Sequence, residues 1–401
     1  MIDIVIIGGG IAGLYCAYKI KKMDPSKKIL ILEASDRLGG RAGNVNFHGE
    51  PVAIGAGIGR KNKDKLLLSI LKELNIPFHE FMASSQYASS IKSSCKVKEM
   101  FLYLKREYNA PNDNDKTFKQ YAKPKLEQKY YKGAYKDFTT CSGYTDYENE
   151  CAHDTLYHYG FDDNYSSWPG FGFSWNQLID KLASKIGGNN IHKSCYVKSI
   201  KPVSENEYSV ICNNKQTFEC KKIIIATEIN GIQKLLPEYR IYNQVKSQPF
   251  LRIYGKFSKE SARIMEEKCG HTIIVPGPIH KIIPMNTEKG IYMIAYTDNN
   301  GAKILDKYSK NRAVLCRYLE DALEIPHDTL VLDDIIDFYW DVGTHYYSPI
   351  KPKGAFKNRN EFCKHLQRPT NYILVVGEAV SMKQGWVEGA LESVDNIIRE
   401  V

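Results

Sequence analysis

The stretch Asp3-Ile-Val-Ile-Ile-Gly-Gly-Gly-Ile-Ala-Gly13 decides the fold of this chain. Its apolar first half is typical of a strand buried on both faces of a sheet. Gly8, Gly10 and Gly13 then follow at the spacing G-x-G-x-x-G. The first glycine permits a tight turn, the second lets a phosphate approach the backbone, and the third lets helix and strand pack closely. The pattern predicts a strand, a turn and a helix whose first N–H groups, including that of Ala12, bind phosphate.

A second apolar run, within Lys28–Glu33, ends in an acid twenty residues beyond Gly13. A carboxylate at this point can accept hydrogen bonds from both ribose hydroxyls of an adenosine. Strand, glycine turn, helix, strand and acid in this order predict an adenine-dinucleotide site, whereas the glycines alone would be a weak signal. No arginine stands beside Glu33 to bind a 2′-phosphate, so a site for NADP alone is disfavoured.

The next segment, Glu33-Ala34-Ser-Asp-Arg-Leu-Gly-Gly40-Arg41, separates FAD from NAD. It resembles the E-A-x-x-R-x-G-G-R signature of the flavoprotein group that contains amine oxidases, phytoene desaturases and protoporphyrinogen oxidases. The resemblance implies that Arg41 contacts a phosphate of FAD. A guanidinium fork beside paired glycines suits that role, because the glycines allow a close approach. We therefore expect FAD as the cofactor.

A second signature lies near the C-terminal end, where an apolar strand runs into Gly377-Glu378. The segment Gln384-Gly-Trp386-Val387-Glu-Gly-Ala-Leu-Glu-Ser393 then opens a helix. Together they closely resemble the G-E…H-G-[YW]-x-x-G-A-x-x-S signature of the flavin amine oxidases. A helix that begins at Trp386 and Val387 would direct its free N–H groups at the N1–C2=O edge of the flavin. In that family the acid matching Glu378 bonds the ribityl or phosphate region.

Two weaker resemblances complete the expected cofactor site. Residues 54–59, with Gly57 and Ile58, match a family stretch that runs under the isoalloxazine, although the aromatic residue of that stretch is missing here. A glycine-rich surface loop is the alternative interpretation. Val197 matches the position whose backbone touches adenine in the family.

The resemblance also suggests residues that face the substrate. In amine oxidases two aromatic side chains stand before the flavin, and Trp386 matches the first of them. The second is expected on Phe338–Pro349, where alternation puts His345 and Tyr347 on one side and Tyr346 on the other. We predict Tyr347, while a histidine on a strand is more often a satisfied core residue than a catalyst. This segment has no cysteine where monoamine oxidases attach their flavin, so we expect FAD to be bound non-covalently.

Position 252 departs from the family. The family lysine that holds a water near flavin N5 sits in a strand of the form T-K-[IV]-[FY], and the matching strand Phe250–Phe257 has Arg252 instead. Lysine can lose its proton in a desolvated site, whereas arginine effectively cannot. Arg252 could therefore orient a water or bind a substrate carboxylate, but it could not act as a base. An arginine pointing to solvent is the alternative, and Lys256 would share its face by alternation.

Composition limits the remaining possibilities. The chain has 401 residues, 43% hydrophobic and 25% charged, with a formal charge of +9 that does not require a nucleic-acid partner. It shows no secretory signal and no membrane span, so we expect a soluble, intracellular and cytoplasmic protein. The ten cysteines have no metal-ligand spacing, and we expect isolated buried thiols and no metal site. The basic, tyrosine-rich stretch 96–136 could bind single-stranded nucleic acid, but such stretches are more often solvated helix faces.

The expected fold is α/β. Residues 1–80, 170–235 and 365–401 would form a doubly wound FAD-binding domain of the glutathione-reductase-like Rossmann type, and residues 81–169 and 236–364 an inserted α+β substrate domain. The resemblance implies that a primary or secondary amine is oxidised to an imine by hydride transfer to flavin N5, and that O2 reoxidises the flavin to give H2O2. Three alternatives stay open: desaturation or another oxidation, oxidation of L-amino acids with Arg252 as carboxylate anchor, and a non-catalytic flavoprotein whose basic patch associates with nucleic acid.

Overall fold

The structure, a computed structural model, describes residues 1–91 and 95–401. Its strands in chain order are β1 (Ile2–Ile7), β2 (Ile29–Leu32), β3 (Asn44–Phe47), β4 (Glu50–Ala53), β5 (Gly59–Arg60), β6 (Phe78–Ala83), β7 (Gln86–Tyr87), β8 (Trp168–Phe173), β9 (Ile191–His192), β10 (Val197–Ser204), β11 (Glu207–Cys212), β12 (Thr217–Ile225), β13 (Val245–Phe257), β14 (Ile273–Ile274), β15 (Lys281–Asn286), β16 (Ile291–Asp298), β17 (Leu332–Tyr347) and β18 (Ile373–Val375).

The α-helices are α1 (Ile11–Met23), α2 (Lys65–Glu73), α3 (Val97–Arg106), α4 (Ala110–Asp113), α5 (Phe118–Lys129), α6 (Ala134–Ser142), α7 (Ala152–Tyr157), α8 (Trp175–Ile186), α9 (Ile229–Leu235), α10 (Lys259–Cys269), α11 (Asn299–Asp306), α12 (Arg312–Leu323), α13 (Arg359–Gln367) and α14 (Val387–Ile397). Short 3-10 turns cover Phe161–Asn164, Gly188–Asn190, Arg240–Gln244, Glu378–Val380 and Ile398–Glu400. None of the helices in the described part of the chain is long and apolar enough to cross a membrane.

A seven-stranded sheet forms the first layer of the molecule. Its order is β10-β11-β12-β1-β2-β9, and β18 pairs with β12. The central strands β12, β1 and β2 are parallel and apolar because both of their faces are covered. One face packs against α1, α2, α8 and α14, and the other packs against α9 and α13. The predicted doubly wound α/β fold is thereby confirmed.

A second, six-stranded sheet has the order β17-β13-β16-β15-β14-β7. One of its faces packs against α10, α11 and α12 in an apolar core that contains Leu251 and Ile253. Side chains alternate along a strand, so Arg252, which lies between Leu251 and Ile253, points away from those helices and towards the first sheet.

Helices α3, α5, α6 and α7 form a separate small core with many aromatic side chains. Tyr121 and Tyr135, from the basic stretch 96–136, are buried in that core. Much of the aromatic character of the stretch therefore serves packing rather than a surface groove. The basic side chains between these aromatics are left on the solvent side of the helices.

The prediction that all ten cysteines are isolated is wrong for four of them. Disulfides join Cys95 to Cys141 and Cys195 to Cys212, with Cα–Cα distances of 5.3 and 6.0 Å. Cys95 and Cys141 are 46 residues apart, whereas Cys195 and Cys212 are 17 residues apart and meet across the β10–β11 hairpin. Neither separation is a spacing that marks a disulfide. The other six cysteines are unpaired and buried, as expected.

Candidate active site

The glycine turn after β1 has the geometry of a phosphate site. Gly8 has a φ of +113°, and a Cβ on Gly13 would lie 2.0 Å from the carbonyl oxygen of Gly8, so neither position tolerates a side chain. A Cβ on Gly10 would instead meet nothing nearer than the Cα of Gly40, at 4.0 Å. Helix α1 begins just after Gly10 without a side-chain cap. Its first N–H groups thus face an open approach, as a bound phosphate requires.

Glu33 lies at the tip of β2, directly above this turn. Its carboxylate accepts hydrogen bonds from the backbone N–H of Gly9, at 2.6 Å, and of Ser35, at 2.8 Å. The backbone N–H of Cys195 donates to the Glu33 carbonyl oxygen at 2.8 Å. The chain leading to Val197 therefore runs beside the acid. This arrangement suits an adenosine whose ribose contacts Glu33.

The other residues predicted to bind the cofactor lie at several places in the fold. Ala12 is the buried second residue of α1, and Ala34 is an exposed residue after β2. Gly40 has a φ of +57° and faces Gly10. Gly57 is half-buried before β5, its neighbour Ile58 has 40% of its surface exposed, and Val387 is the first residue of α14.

Two signatures that are distant in sequence meet at Glu378. Its carboxylate accepts a hydrogen bond from the Arg41 guanidinium at 3.1 Å, while Arg41 also donates to the carbonyl oxygen of Gly343 at 2.8 Å. The backbone N–H of Gly385 donates to Glu378 at 2.5 Å. His345 donates twice, from its backbone N–H at 3.0 Å and from Nδ1 at 2.5 Å. The side chain of Glu378 therefore connects Arg41, β17 and the start of α14.

Glu378 is buried but negatively charged. Burial alone would raise its pKa, but the adjacent His345 ring and Arg41 guanidinium, with the N–H bonds, hold the pKa of this carboxyl well below its usual range. The backbone N–H of Ile229 donates to His345 Nε2 at 3.1 Å, which assigns the ring proton to Nδ1 and to Glu378. Both nitrogens of His345 are thus engaged within the protein. It orients Glu378 and has no side-chain atom free for a substrate.

Helix α14 begins at Val387 with Trp386 as its N-cap residue and no side-chain cap. The Trp386 indole N–H donates to fully buried Asp64 at 2.8 Å, and the Arg60 guanidinium lies 5.7 Å from the indole ring. The orientation of Trp386 is therefore fixed. Glu388, the next acid, accepts the backbone N–H groups of Leu66 and Leu67 and so caps α2 rather than contributing to the site.

Arg252 is buried, with only 4% of its surface exposed, and points towards Gly57. A Cβ on Gly57 would lie 3.0 Å from an Arg252 guanidinium nitrogen. The guanidinium lies 4.7 Å from the centroid of the Tyr296 ring, and its Nε has no hydrogen-bond partner. Within the described residues it forms no ion pair with a carboxylate. The alternative that Arg252 points to solvent is excluded, and a buried, unpaired cation lies beside the Gly57 stretch.

The structure places Tyr347 away from Trp386, in place of the predicted facing pair. Its hydroxyl donates to the carbonyl oxygen of Ser381 at 2.9 Å, and it packs in the core on the α13 side of the first sheet. Trp386 packs against the core on the opposite side. The reason is the alternation along β17, because Tyr347 shares the inward face of His345. The neighbouring Tyr346 lines a cavity.

That cavity lies between residues 146–159, which include α7, and the end of β17. Gly385 forms part of its wall. Its polar lining includes Asp146, Glu150, Asp154, Gln248, Thr344 and Tyr346. Burial, and then the charge of Asp298, raises the pKa of Asp146 to about 7. Burial and the neighbouring Asp154 raise the pKa of Glu150 to about 8. Arg359, paired with Asp154 at 2.6 Å, also lines the cavity. The charges of Arg359 and Lys281 offset part of the rise in the pKa of Glu150 and of Asp146 respectively.

Sequence reasoning missed these acids because no motif marks them and they lie in the inserted segment. It also missed Lys281, a buried lysine at the start of β15. The one available signal was a lysine directly before an apolar strand, Lys281-Ile-Ile. His153, Asp154 and His158 form a group with metal-ligand spacing, but Arg359 already holds Asp154 at 2.6 Å. We assign no metal to them.

Two family models match long segments of this chain. A model of the flavin containing amine oxidoreductase family matches residues 115–394, and a model of an NAD(P)-binding Rossmann-like domain matches residues 6–74. The uncharacterized protein R188 of Acanthamoeba polyphaga mimivirus is 22% identical over an alignment 488 positions long, covering 99% of this chain and 93% of that protein.

Two further comparisons concern a shorter sequence match and solved structures. The putative L-amino-acid oxidase YobN of Bacillus subtilis (strain 168) is 30% identical over 126 residues, which is 28% of this chain and 25% of YobN. Two redesigned variants of putrescine oxidase superpose with TM-scores of 0.73 and 0.74 at 14% identity, covering 99% of this chain and 98% of each of theirs. At this identity the superposition establishes the fold alone.

Proposed function

Since this chain belongs to the family of flavin-containing amine oxidoreductases, we propose that it is an FAD-dependent oxidase that converts a primary or secondary amine to an imine. FAD, bound non-covalently, supplies the hydride acceptor, and dioxygen reoxidises it with formation of hydrogen peroxide. The protein supplies binding, orientation and charge.

The residues present fit the cofactor. Glu33 is placed to accept bonds from the adenosine ribose, and the uncapped N-terminus of α1 is open beside Gly10 for the pyrophosphate. Arg41 is held by Glu378 so that its remaining N–H groups can bind phosphate. The uncapped start of α14 offers N–H groups and a positive dipole end to the flavin.

The acid-lined cavity beside Gly385 is the observation that carries the substrate class. Glu150 is buried and Asp146 is half-buried, and in the described residues neither carboxyl lies within ion-pair distance of a cation. Desolvation raises the pKa of each, although the charges of Lys281 and Arg359 oppose the rise. An ammonium group entering this cavity would restore their charged forms, since a nearby positive charge favours the carboxylate. With a volume of about 20 Å³ the cavity has room for an ammonium group but not for a whole amine, so these acids support binding of the cationic end of a substrate near α14.

Oxygen consumption and peroxide release test the proposal with purified, flavin-loaded protein. We expect an amine panel to include substrates that consume one O2 for each carbonyl product formed after imine hydrolysis. Asp146→Asn should raise KM for those amines more than it lowers kcat, because it removes ground-state attraction for the ammonium. A panel without any amine-dependent peroxide would contradict the proposal and favour desaturation of another substrate.

Oxidation of amino acids is a second candidate, favoured by one observation. The buried Arg252 guanidinium has an unpaired Nε and no carboxylate partner in the described chain. A substrate carboxylate would satisfy it in a bidentate pair. On this alternative Arg252→Lys should raise KM for amino acids while simple amines are unaffected. Equal KM changes for both substrate classes would remove the carboxylate role.

A further inference from the structure

Asp64 occupies the N-cap position of α2 but does not cap this helix. Aspartate is a preferred N-cap residue because its carboxylate usually accepts the N–H of the second or third helical residue. In α2 the N–H groups at these positions, those of Leu66 and Leu67, donate instead to the carboxylate of Glu388, at 2.9 and 3.0 Å. Glu388 belongs to α14, so an acid from another helix caps α2 and leaves the Asp64 carboxylate to other partners.

The Asp64 carboxylate is fully buried and has two neighbouring donors. The indole N–H of Trp386 donates to Oδ2 at 2.8 Å. The backbone N–H of Arg60 donates to the same oxygen at 2.6 Å, and its guanidinium Nη2 donates to Oδ1 at 2.9 Å. Arg60 thus balances the charge of Asp64, and its guanidinium also lies 5.7 Å from the centroid of the Trp386 ring. The ring is therefore held at its N–H by a carboxylate and at its face by a cation.

Trp386 stands beside the stretch that is expected to run under the flavin. Its ring meets the Trp175 ring edge to face, with 6.2 Å between centroids. The Trp175 indole N–H in turn donates to the carbonyl oxygen of Gly57 at 2.9 Å, and Gly57 is the glycine that faces the Arg252 guanidinium. Trp175 is buried whereas Trp386 is half-buried, so part of the surface of Trp386 is available for contact with a substrate or the cofactor.

We propose that Asp64 is a positioning residue for amine oxidation, and that its carboxylate holds the Trp386 ring in the orientation in which it meets the substrate. This inference rests on the proposed function. An indole without its N–H bond is free to turn about its side-chain torsions, and a misplacement of about 1 Å near the reacting atoms can lower a rate on the order of a hundredfold. Because Glu388 caps α2, the bond from Asp64 to the ring leaves neither Leu66 nor Leu67 without a hydrogen-bond acceptor.

Asp163, in the inserted segment, provides a matched control. Its carboxylate accepts hydrogen bonds from Nη1 of Arg60 at 3.3 Å and from Nζ of Lys63 at 2.7 Å. In the part of the chain that the structure describes, Asp163 forms no hydrogen bond with Trp386. Asp163→Asn therefore removes an ion pair of Arg60 but keeps the acceptor of the indole N–H, whereas Asp64→Leu removes that acceptor.

Indole N–H resonances test the contact without any substrate. In flavin-loaded protein that carries 15N-labelled tryptophan, the signal missing from Trp386→Phe belongs to Trp386. Its N–H should exchange with water at least about tenfold more slowly in the wild type than in Asp64→Leu, because a buried carboxylate holds it. The Trp175 signal should be the same in both proteins, and Asp163→Asn should keep the slow exchange at Trp386. Exchange of the wild-type Trp386 N–H as fast as that of an exposed indole would overturn the inference, even if Asp64→Leu does not fold.

The rate constant for anaerobic flavin reduction at saturating amine tests the role in the reaction. Asp64→Leu should lower this rate constant about tenfold or more, but should have no further effect in Trp386→Phe, which has no indole N–H to hold. Asp163→Asn should keep the wild-type rate constant. A wild-type rate constant in Asp64→Leu would overturn the inference, and so would an equal loss with and without the indole, because Asp64 would then act through folding alone. Failure of every amine to reduce the wild-type flavin would instead refute the proposed function, and this inference with it.

Discussion

Replacing Glu378 with glutamine tests the buried hydrogen bonds that join this acid to Arg41, His345 and Gly385. The carboxylate accepts four N–H bonds, two from His345 and one each from Arg41 and Gly385. An amide has only one accepting oxygen, so in either orientation two of these donors would face an NH2 group. His345 cannot relieve the conflict by moving its proton, because Nε2 already accepts from Ile229.

The expected cost follows from burial. Glu378 is 6% exposed, and breaking one member of a buried, hydrogen-bonded ion pair costs about 3–5 kcal/mol. Urea unfolding followed by circular dichroism should show Glu378→Gln less stable than wild type by that amount at pH 7. Asp334→Asn is the control: it removes an exposed pair with His48, so a loss below about 1 kcal/mol is expected. A loss below about 1 kcal/mol for Glu378→Gln would refute the reasoning.

The same variant has a predicted pH signature. The pKa of Glu378 is held well below its usual range in the folded protein, so its contribution is complete above the unfolded value of about 4.3 and is lost as pH falls below it. The stability difference between wild type and Glu378→Gln should therefore shrink between pH 7 and pH 3. If the stability difference stayed constant with pH, packing of the Glu378 side chain rather than its charge would account for its contribution.

Four further substitutions test the cofactor site. Glu33→Ala should lose FAD during purification, and full flavin occupancy would contradict the ribose role. Gly10→Ala should fold with wild-type stability but bind FAD at least about tenfold more weakly, because its Cβ enters the phosphate approach; Gly13→Ala should be destabilised by about 1–3 kcal/mol or more, because its Cβ would lie 2.0 Å from the Gly8 oxygen. Equal unfolding midpoints for the two glycine variants would contradict this distinction. Trp386→Ala should keep FAD but slow its reduction by amines, and an unchanged rate would argue against contact between this ring and the substrate.

The parts of the account that sequence could predict are those with local causes. The glycine turn, the acid at the end of β2 and the start of α14 depend on neighbouring residues, and the structure has strands and helices at all three. The fold class followed from them. The roles of Arg41 and Glu378 in binding FAD stay predictions, although their mutual contact at 3.1 Å brings the two signatures together.

What sequence could not predict depends on long-range register. Alternation put His345 and Tyr347 on one side of β17 but could not say that this side meets the core, where the Tyr347 hydroxyl is held by Ser381. Lys281 lies on the same sheet face as Arg252, two strands away, only through the pairing of β13, β16 and β15, which no motif records. The acidic lining of the cavity arises in the same way, from an inserted segment folding over the second sheet.

The most direct test of the central claim is anaerobic addition of amines to the purified, flavin-loaded protein while the flavin absorbance is followed. The account predicts bleaching by monoamines, polyamines or amino acids, and the class that bleaches identifies the substrate family. Amino acids alone would make Arg252 the carboxylate anchor. A flavin that dithionite reduces but no amine bleaches would contradict amine oxidation by this chain.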